Sequence, residues 1–174
     1  MYKLIITSFC LFISSLLFSQ SEFGIEYQHG FGKGYGYNSV GGIYEGFSNT
    51  GKSSWQVGLT YNFSSSTGGK EASKESGLGL FAGYRYGFSY GTSGNLIGGI
   101  RTTFNFNKDS KGEKSSSFLP SVELGYHLTF NNFGKGGFAT PSLAVGYEIP
   151  MGSESKEDYD GALFIPRIAV GYRF

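Results

Sequence analysis

The chain has 174 residues and carries 14 Lys and Arg against 13 Asp and Glu, which gives a formal net charge of +1. That balance gives no electrostatic reason to expect a nucleic-acid partner. The chain contains 29 Gly, well over double the ordinary share of about 7%, together with 17 Phe and 13 Tyr but one Trp. A composition of this kind favours strands and turns.

The first residues have the pattern of a secretory signal peptide. Lys3 precedes an apolar run over residues 4–18, which is too short to span a bilayer as a helix. We therefore predict a signal peptide over residues 1–19, cleaved after Ser19, with Ser21 as the alternative position.

The remaining residues, 20–174, have the length of a single domain and contain no linker. Cys10, the one cysteine, lies in the predicted leader. The mature chain is therefore expected to have neither a disulfide nor a thiolate metal site.

Eight later segments alternate apolar residues with polar or small ones, a period of two that is typical of β-strands. They cover residues 22–30, 39–48, 53–63, 77–90, 96–106, 118–130, 141–149 and 164–174. The second is ambiguous, because Val40 and Tyr44 differ in parity from Ile43 and Phe47. The face on which Glu45 lies is therefore left open by the pattern.

The connections between these segments alternate in length. The short ones are rich in Gly and Asn, as in hairpin turns, and cover residues 48–53, 90–95 and 131–137. The longer ones cover residues 64–76, 107–117 and 150–161, and residues 31–38 take the place of the first long connection. This asymmetry predicts an all-β, eight-stranded, antiparallel up-and-down transmembrane β-barrel whose two rims face different compartments.

The basic residues indicate which face of this barrel is outside. A soluble barrel has its apolar face inward, whereas a membrane barrel has it outward. Every Lys after the leader falls in a connection, and every Arg falls on the polar face of a strand: Arg85, Arg101, Arg167 and Arg173. Because the planar guanidinium pairs with carboxylates in a confined space, this distribution favours a polar interior.

The apolar face has the character of a surface in contact with lipid. Aromatic residues recur near the strand ends, as in the girdles of membrane barrels. Predicted strands of about 9–11 residues suit a tilted membrane strand. Apart from Glu45, no charge falls on this face, where a charge at mid-bilayer would cost about 2–4 kcal/mol. A soluble barrel is the alternative fold.

The last segment resembles the closing strand of outer-membrane β-barrels of Gram-negative bacteria. That pattern has a polar residue, Gly two positions later, and aromatic residues at its sixth and eighth positions. Here it falls on Arg167, Ala169, Tyr172 and Phe174, with Ala in place of Gly. The chain as a whole resembles a small eight-stranded member of this family, which implies that its last strand is recognised by the barrel-insertion machinery.

Charged residues on the polar face predict an ion-pair network in the lumen, formed by Glu26, Arg85, Arg101, Glu123, Glu148, Arg167 and Arg173. Pairing of Phe106 with Phe118 would place Arg101 opposite Glu123, and pairing of Tyr90 with Leu96 would place Arg85 beside Arg101. Glu26 is the candidate partner of Arg167 and Arg173 on the adjoining strand. A network that fills the lumen is the favoured interpretation, and a gated polar path is the alternative.

Three other patterns contain residues that are used in chemistry elsewhere. His127 and Thr129 resemble the His and Ser pair of barrel-type lipid-A deacylases, but the parity directs His127 into the lumen. The glycine-rich residues 29–38 lack the following helix of a dinucleotide-binding motif. The acidic residues 154–160 favour a solvated loop over a weak cation site. We expect no catalytic residue, no metal and no cofactor.

These patterns predict an integral outer-membrane protein, monomeric, with both termini in the periplasm and the longer connections outside the cell. Its partners would be outer-membrane lipid, lipopolysaccharide, the barrel-insertion machinery and an extracellular ligand held by the loops. The expected role is structural or adhesin-like. The alternatives are a narrow channel or transporter for small or hydrophobic solutes and, more remotely, a lipid-modifying enzyme.

Overall fold

A computed structural model describes residues 20–32, 35–64, 76–89, 94–108, 114–130, 135–151 and 161–174. They form β1 (Gln20–Gly32), β2 (Tyr35–Phe47), β3 (Ser53–Ser64), β4 (Ser76–Gly87), β5 (Gly94–Lys108), β6 (Lys114–Thr129), β7 (Gly136–Pro150) and β8 (Gly161–Arg173). Within these residues, no helix has the length and apolar character needed to cross a bilayer.

Each strand pairs antiparallel with the next, and β8 pairs with β1 to close the barrel. The fold is therefore the all-β, eight-stranded up-and-down barrel that the alternation predicted. A path from partner to partner around the wall leaves β1 at Ser21 and returns to it at Phe31, a stagger of ten residues. Because this stagger tilts the strands, side chains at one height in the interior come from positions that are not register partners.

The strands have 12 to 16 residues each, and all but β4 are longer than predicted. The ladder of β1 and β2 extends through most of residues 31–38 and leaves only residues 33–34 as their connection. The ladder of β5 and β6 likewise extends to Lys108 opposite Lys114. The prediction of four long connections is wrong for these two hairpins, because backbone pairing continues through residues whose polar side chains suggested loops.

In β2, the strand whose pattern was ambiguous, even-numbered residues face outward and odd-numbered residues face inward. Val40 and Tyr44 face outward, with 40% and 39% of their surface exposed, whereas Ile43 and Phe47 face inward at 3% and 8%. Glu45 shares the inward parity and is also buried. The apolar residues of this strand are therefore divided between the two faces.

The outer surface is apolar around the whole barrel. At mid-height Ile100, Val122 and Val145 lie side by side in register, and each exposes more than half of its surface. Within the described strands, the only charged side chains on this surface are Lys108 and Lys114, at one rim. The prediction that every Lys lies in a connection is therefore wrong for these two residues, which are the last residue of β5 and the first residue of β6.

Two inward-facing rings pack across the wall of the barrel on glycines. Phe81 lies directly opposite Gly58, and Phe138 lies directly opposite Gly171. A Cβ at Gly58 would overlap the Phe81 ring and the carbonyl oxygen of the outward-facing Gly42. The interior therefore holds aromatic rings as well as polar side chains, since glycines make room for the rings.

This packing predicts that Gly58→Ala destabilises the barrel by about 1–3 kcal/mol, because the added methyl has no space beside the ring. Gly42→Ala is the matched control, since nothing lies within 4 Å of a Cβ at that position. Urea unfolding of the refolded protein measures both variants. Equal unfolding midpoints for the two would contradict the proposed close approach.

Candidate functional site in the charged interior

Seven of the eight strands contribute charged side chains to the interior of the barrel. The remaining strand, β3, contributes Gln56. Arg85 and Arg101 are among the largest fully buried side chains, each with 2% of its surface exposed. Burying an unpaired guanidinium would cost several kcal/mol. The position of every carboxylate near these two groups therefore matters.

Arg101 on β5 pairs across the lumen with Glu26 on β1. Its two terminal nitrogens donate to the two carboxylate oxygens at 2.5 and 2.8 Å. Nη2 also donates to the amide oxygen of Gln56 at 2.9 Å. The guanidinium carbon lies 4.2 Å from the centre of the Phe81 ring, a cation–π contact. This one side chain therefore connects four strands.

Arg85 on β4 lies between two carboxylates. Its Nε donates to Glu123 at 2.5 Å, and its Nη1 donates to Glu45 at 2.9 Å. Glu45 also accepts a hydrogen bond from the amide of Gln56 at 2.8 Å and one from the hydroxyl of Ser54. Gln56 therefore joins the Arg85 pairs to the Arg101 pair.

Arg167 on β8 completes the group. It donates to Glu123 at 3.2 Å, to the amide oxygen of Gln28 at 3.0 Å and to the hydroxyl of Ser121 at 3.2 Å. We call Glu26, Glu45, Gln56, Arg85, Arg101, Glu123 and Arg167 the central network. Its hydrogen bonds cross the lumen, and its members come from β1, β2, β3, β4, β5, β6 and β8.

A second cluster lies toward the rim where β1 begins and β8 ends. Arg173 donates to Glu22 at 2.6 Å and to Nε2 of His127 at 2.7 Å. Nε2 of His127 also lies 3.1 Å from the Glu22 carboxylate, and Nδ1 lies 2.8 Å from the hydroxyl of Thr140. Arg173 also lies 4.6 Å above the ring of Phe47.

Glu148 lies apart from both groups, toward the other rim. It accepts a hydrogen bond from Ser117 at 2.6 Å, and Ser117 in turn accepts one from Asn105 at 3.3 Å. Asn62 donates to Asn105 at 2.8 Å. Glu148 therefore belongs to a polar chain dominated by amides and hydroxyls.

The predicted cross-strand neighbours are wrong by two residues on both sides of β5. Arg101 lies opposite Ser121, and Arg85 lies opposite Gly99. Phe118 pairs with Phe104, at 4.9 Å between ring centres, and not with Phe106. A shift of two residues preserves parity, so the side chains still face inward.

Glu26 joins the group of Arg85, Arg101 and Glu123, and its hydrogen bonds go to Arg101 and not to Arg167 or Arg173 of the adjoining strand. Ala169 is the register neighbour of Glu26 on the adjoining strand, and the carboxylate reaches across the lumen to Arg101. Sequence reasoning missed Glu45 and Gln56 of the central network and Glu22 of the second cluster. The signal for Glu45 was its own charge, because a carboxylate fits the interior better than an apolar outer face.

The other residues singled out in the sequence are His127, the C-terminal motif and the acidic residues 154–160. His127 is buried at 3% and bonds to Thr140 and Arg173, and the described hydrogen bonds do not join it to Thr129. Ala169 is buried at 1%, whereas Tyr172 and Phe174 face outward at 50% and 57%. The acidic residues 154–160 lie outside the described residues. Within the described part of the chain, no group of three or more His, Cys, Asp or Glu could hold a metal ion.

No family model matches the chain, and no curated protein matches it.

The geometry predicts that Glu26 and Arg101 contribute to stability as a coupled pair. Glu26→Leu leaves Arg101 buried without its carboxylate and should lower the free energy of unfolding by about 3–5 kcal/mol. The double variant Glu26→Leu/Arg101→Leu should lose less than the sum of the two single variants. Urea unfolding of all four proteins closes the cycle, and strict additivity would argue against a direct pair.

Proposed function

We propose that this protein is an integral outer-membrane β-barrel with a structural or surface-interaction role. The observation that carries the proposal is the reversed distribution of side chains. Arg85 and Arg101 are buried inside the barrel, whereas Ile100 and Val122 are about 60% exposed on its outside. A closed barrel satisfies its backbone hydrogen bonds within the wall, so this surface is compatible with hydrocarbon.

Aromatic pairs near the two rims support a membrane position. Tyr86 with Phe88, and Tyr172 with Phe174, form ring contacts at 5.6 Å near the rim that carries the chain ends. Phe31 packs on Phe164 at 5.2 Å near the other rim. Aromatic side chains are enriched where a membrane protein crosses the lipid–water interface, and the aliphatic zone lies between these pairs.

The two longest connections, residues 65–75 and 151–160, leave the barrel at the same rim. We place this rim outside the cell and the chain ends in the periplasm. The extended loops would then be available to bind lipopolysaccharide or an extracellular ligand. The loops are the region to which we assign the interaction role.

The filled lumen favours this role over a channel. The central network crosses the lumen by direct hydrogen bonds and leaves its guanidinium groups fully buried. An eight-stranded barrel is just wide enough for side chains to fill its interior. A narrow channel would require these pairs to separate.

The membrane position predicts the effect of a charge on the outer face. Val122→Arg should destabilise the barrel in lipid vesicles by about 2–4 kcal/mol, because it places a charge near the middle of the apolar zone. Lys108→Arg at the rim is the control and should have no such effect. Folding is read from the compact band that an unboiled membrane barrel gives on a gel.

A soluble barrel would give a different result, because Val122 would then lie in water. A stability change within about 0.5 kcal/mol, or recovery of the protein in the soluble periplasmic fraction, would contradict the proposal.

The filled lumen also predicts that the folded wild-type protein produces no steady conductance in a planar lipid bilayer, since the ion pairs close the path. Stable conductance steps from the wild-type protein would favour the channel alternative. The protein added to the bilayer is first shown to be folded by its compact band on the gel, and detergent alone is the control. An absence of conductance then cannot result from unfolded protein, and conductance cannot result from the detergent.

A further inference from the structure

The hydrogen-bonded wall of the barrel is interrupted at three prolines. Six of the eight ladders between neighbouring strands run without a break through the described residues. The ladder of β6 and β7 skips two register pairs at Pro120 and two at Pro141, and the ladder of β8 and β1 skips two at Pro166. Proline has no backbone N–H and cannot donate to a neighbouring strand. The register is the same on both sides of each break, so none of the breaks is a bulge.

The interruption at Pro166 leaves the least firmly paired stretch of these ladders. Beyond Gln28 opposite Arg167, β1 and β8 form one further register pair toward the rim of the long connections, Phe31 opposite Phe164. The rings of this pair also pack together, with 5.2 Å between their centres. Each break between β6 and β7, by contrast, has at least two register pairs on either side. The end of the β1–β8 ladder is therefore where neighbouring strands separate most easily.

The interior behind this stretch is apolar. Five buried side chains form one cluster there, which we call the apolar cluster: Tyr37, Leu119, Ala144, Leu163 and Ile165. Ile165 belongs to the interrupted stretch itself and is fully buried. The Tyr37 ring lies over Gly30, its register partner on β1, where an added Cβ would overlap the ring. Phe31 and Phe164 face outward, so the wall has apolar side chains on both of its sides.

The central network closes the space beneath the apolar cluster. Arg167 on β8 donates to Glu123 at 3.2 Å and to Gln28 on β1 at 3.0 Å. These bonds hold β1 and β8 together just below the interruption. An apolar chain that entered between the two strands would stop in this half of the barrel, because further passage would bring it against buried charge.

We propose that the β1–β8 ladder opens from the rim of the long connections down to Pro166 and admits an acyl chain from the bilayer into the apolar cluster. The inference rests on the proposed function, because only a barrel in a bilayer presents this stretch to hydrocarbon. Opening separates one register pair, and the chain displaces the Tyr37 ring from Gly30. An unbranched chain is favoured over a ring system, because it requires the smallest separation of the strands. The barrel binds the chain and does not transport it.

A disulfide across the two strands tests the opening in the full protein, folded in lipid vesicles. Phe31→Cys/Phe164→Cys joins register partners above Pro166, and paired residues have the Cα separation that a disulfide needs. Ile25→Cys/Val170→Cys is the matched control, since it joins the same strands below the interruption. No cysteine follows the predicted leader, so neither disulfide has a competing thiol.

The probe is palmitic acid with a photoreactive diazirine at the end of its chain, and the crosslinked residues are identified by mass spectrometry. In the wild type we expect crosslinks to Tyr37 and Leu163. The oxidised Phe31→Cys/Phe164→Cys variant should lose them and regain them on reduction, whereas the control should keep them in both states. Undiminished crosslinks in the oxidised variant would overturn the lateral route. Crosslinks confined to outward-facing residues would overturn the binding site.

A second variant tests the cause of the opening. Pro166→Ala restores an N–H opposite His29 and should slow hydrogen–deuterium exchange of the backbone amides at residues 29–31, with no change at Ile25. Equal exchange at residues 29–31 in the wild type and the variant would contradict the role given to Pro166.

Competition with unlabelled lipopolysaccharide identifies the source of the acyl chain. Loss of the inward crosslinks would assign the site to an acyl chain of lipopolysaccharide, and their retention would assign it to a free fatty acid. Either result supports an acyl ligand.

The gel shift and the membrane fraction separate failure of this site from failure of the proposed function. A compact band in the membrane fraction without inward crosslinks removes only the acyl site. Absence of the compact band and of the membrane location removes both.

Discussion

Two buried guanidinium groups constrain the rest of the interior, because each must meet carboxylates wherever the fold places it. Arg101 reaches Glu26 across the lumen, and Arg85 reaches Glu45 and Glu123. These contacts join strands that are not neighbours in the wall. The backbone ladder joins each strand only to its neighbours in the wall. The charged side chains add hydrogen bonds between opposite sides of the barrel. Replacing either partner alone would leave a charge that the interior cannot solvate.

The same pairs explain how the barrel can have a polar interior and an apolar exterior. Because the apolar side chains face outward, hydrogen bonds and packing must hold the interior together. Phe81 shows how the two combine, since its ring lies opposite Gly58 and beneath the Arg101 guanidinium.

Parity was the most predictable property, and register was the least. Alternation placed Arg85, Arg101 and Glu123 in the interior, and a shift of two residues in two hairpins did not change that. The shift did change which side chains are neighbours. In β2 the apolar residues misled, because Ile43 faces the interior, and the charge of Glu45 was the more informative signal. A carboxylate is restricted by its surroundings more than an isoleucine is, since isoleucine packs on either face.

The sequence by itself determined the number of strands, their antiparallel order and the polar character of the interior, because these depend on local alternation and turn residues. The sequence also placed every Arg within a strand and most Lys residues in the connections. Only the tertiary structure decided that Glu26 pairs with Arg101 rather than with the arginines of the adjoining strand. The reason is the tilt of the strands. A stagger of ten residues around the barrel brings distant positions to the same height, and a one-dimensional pattern does not contain that distance.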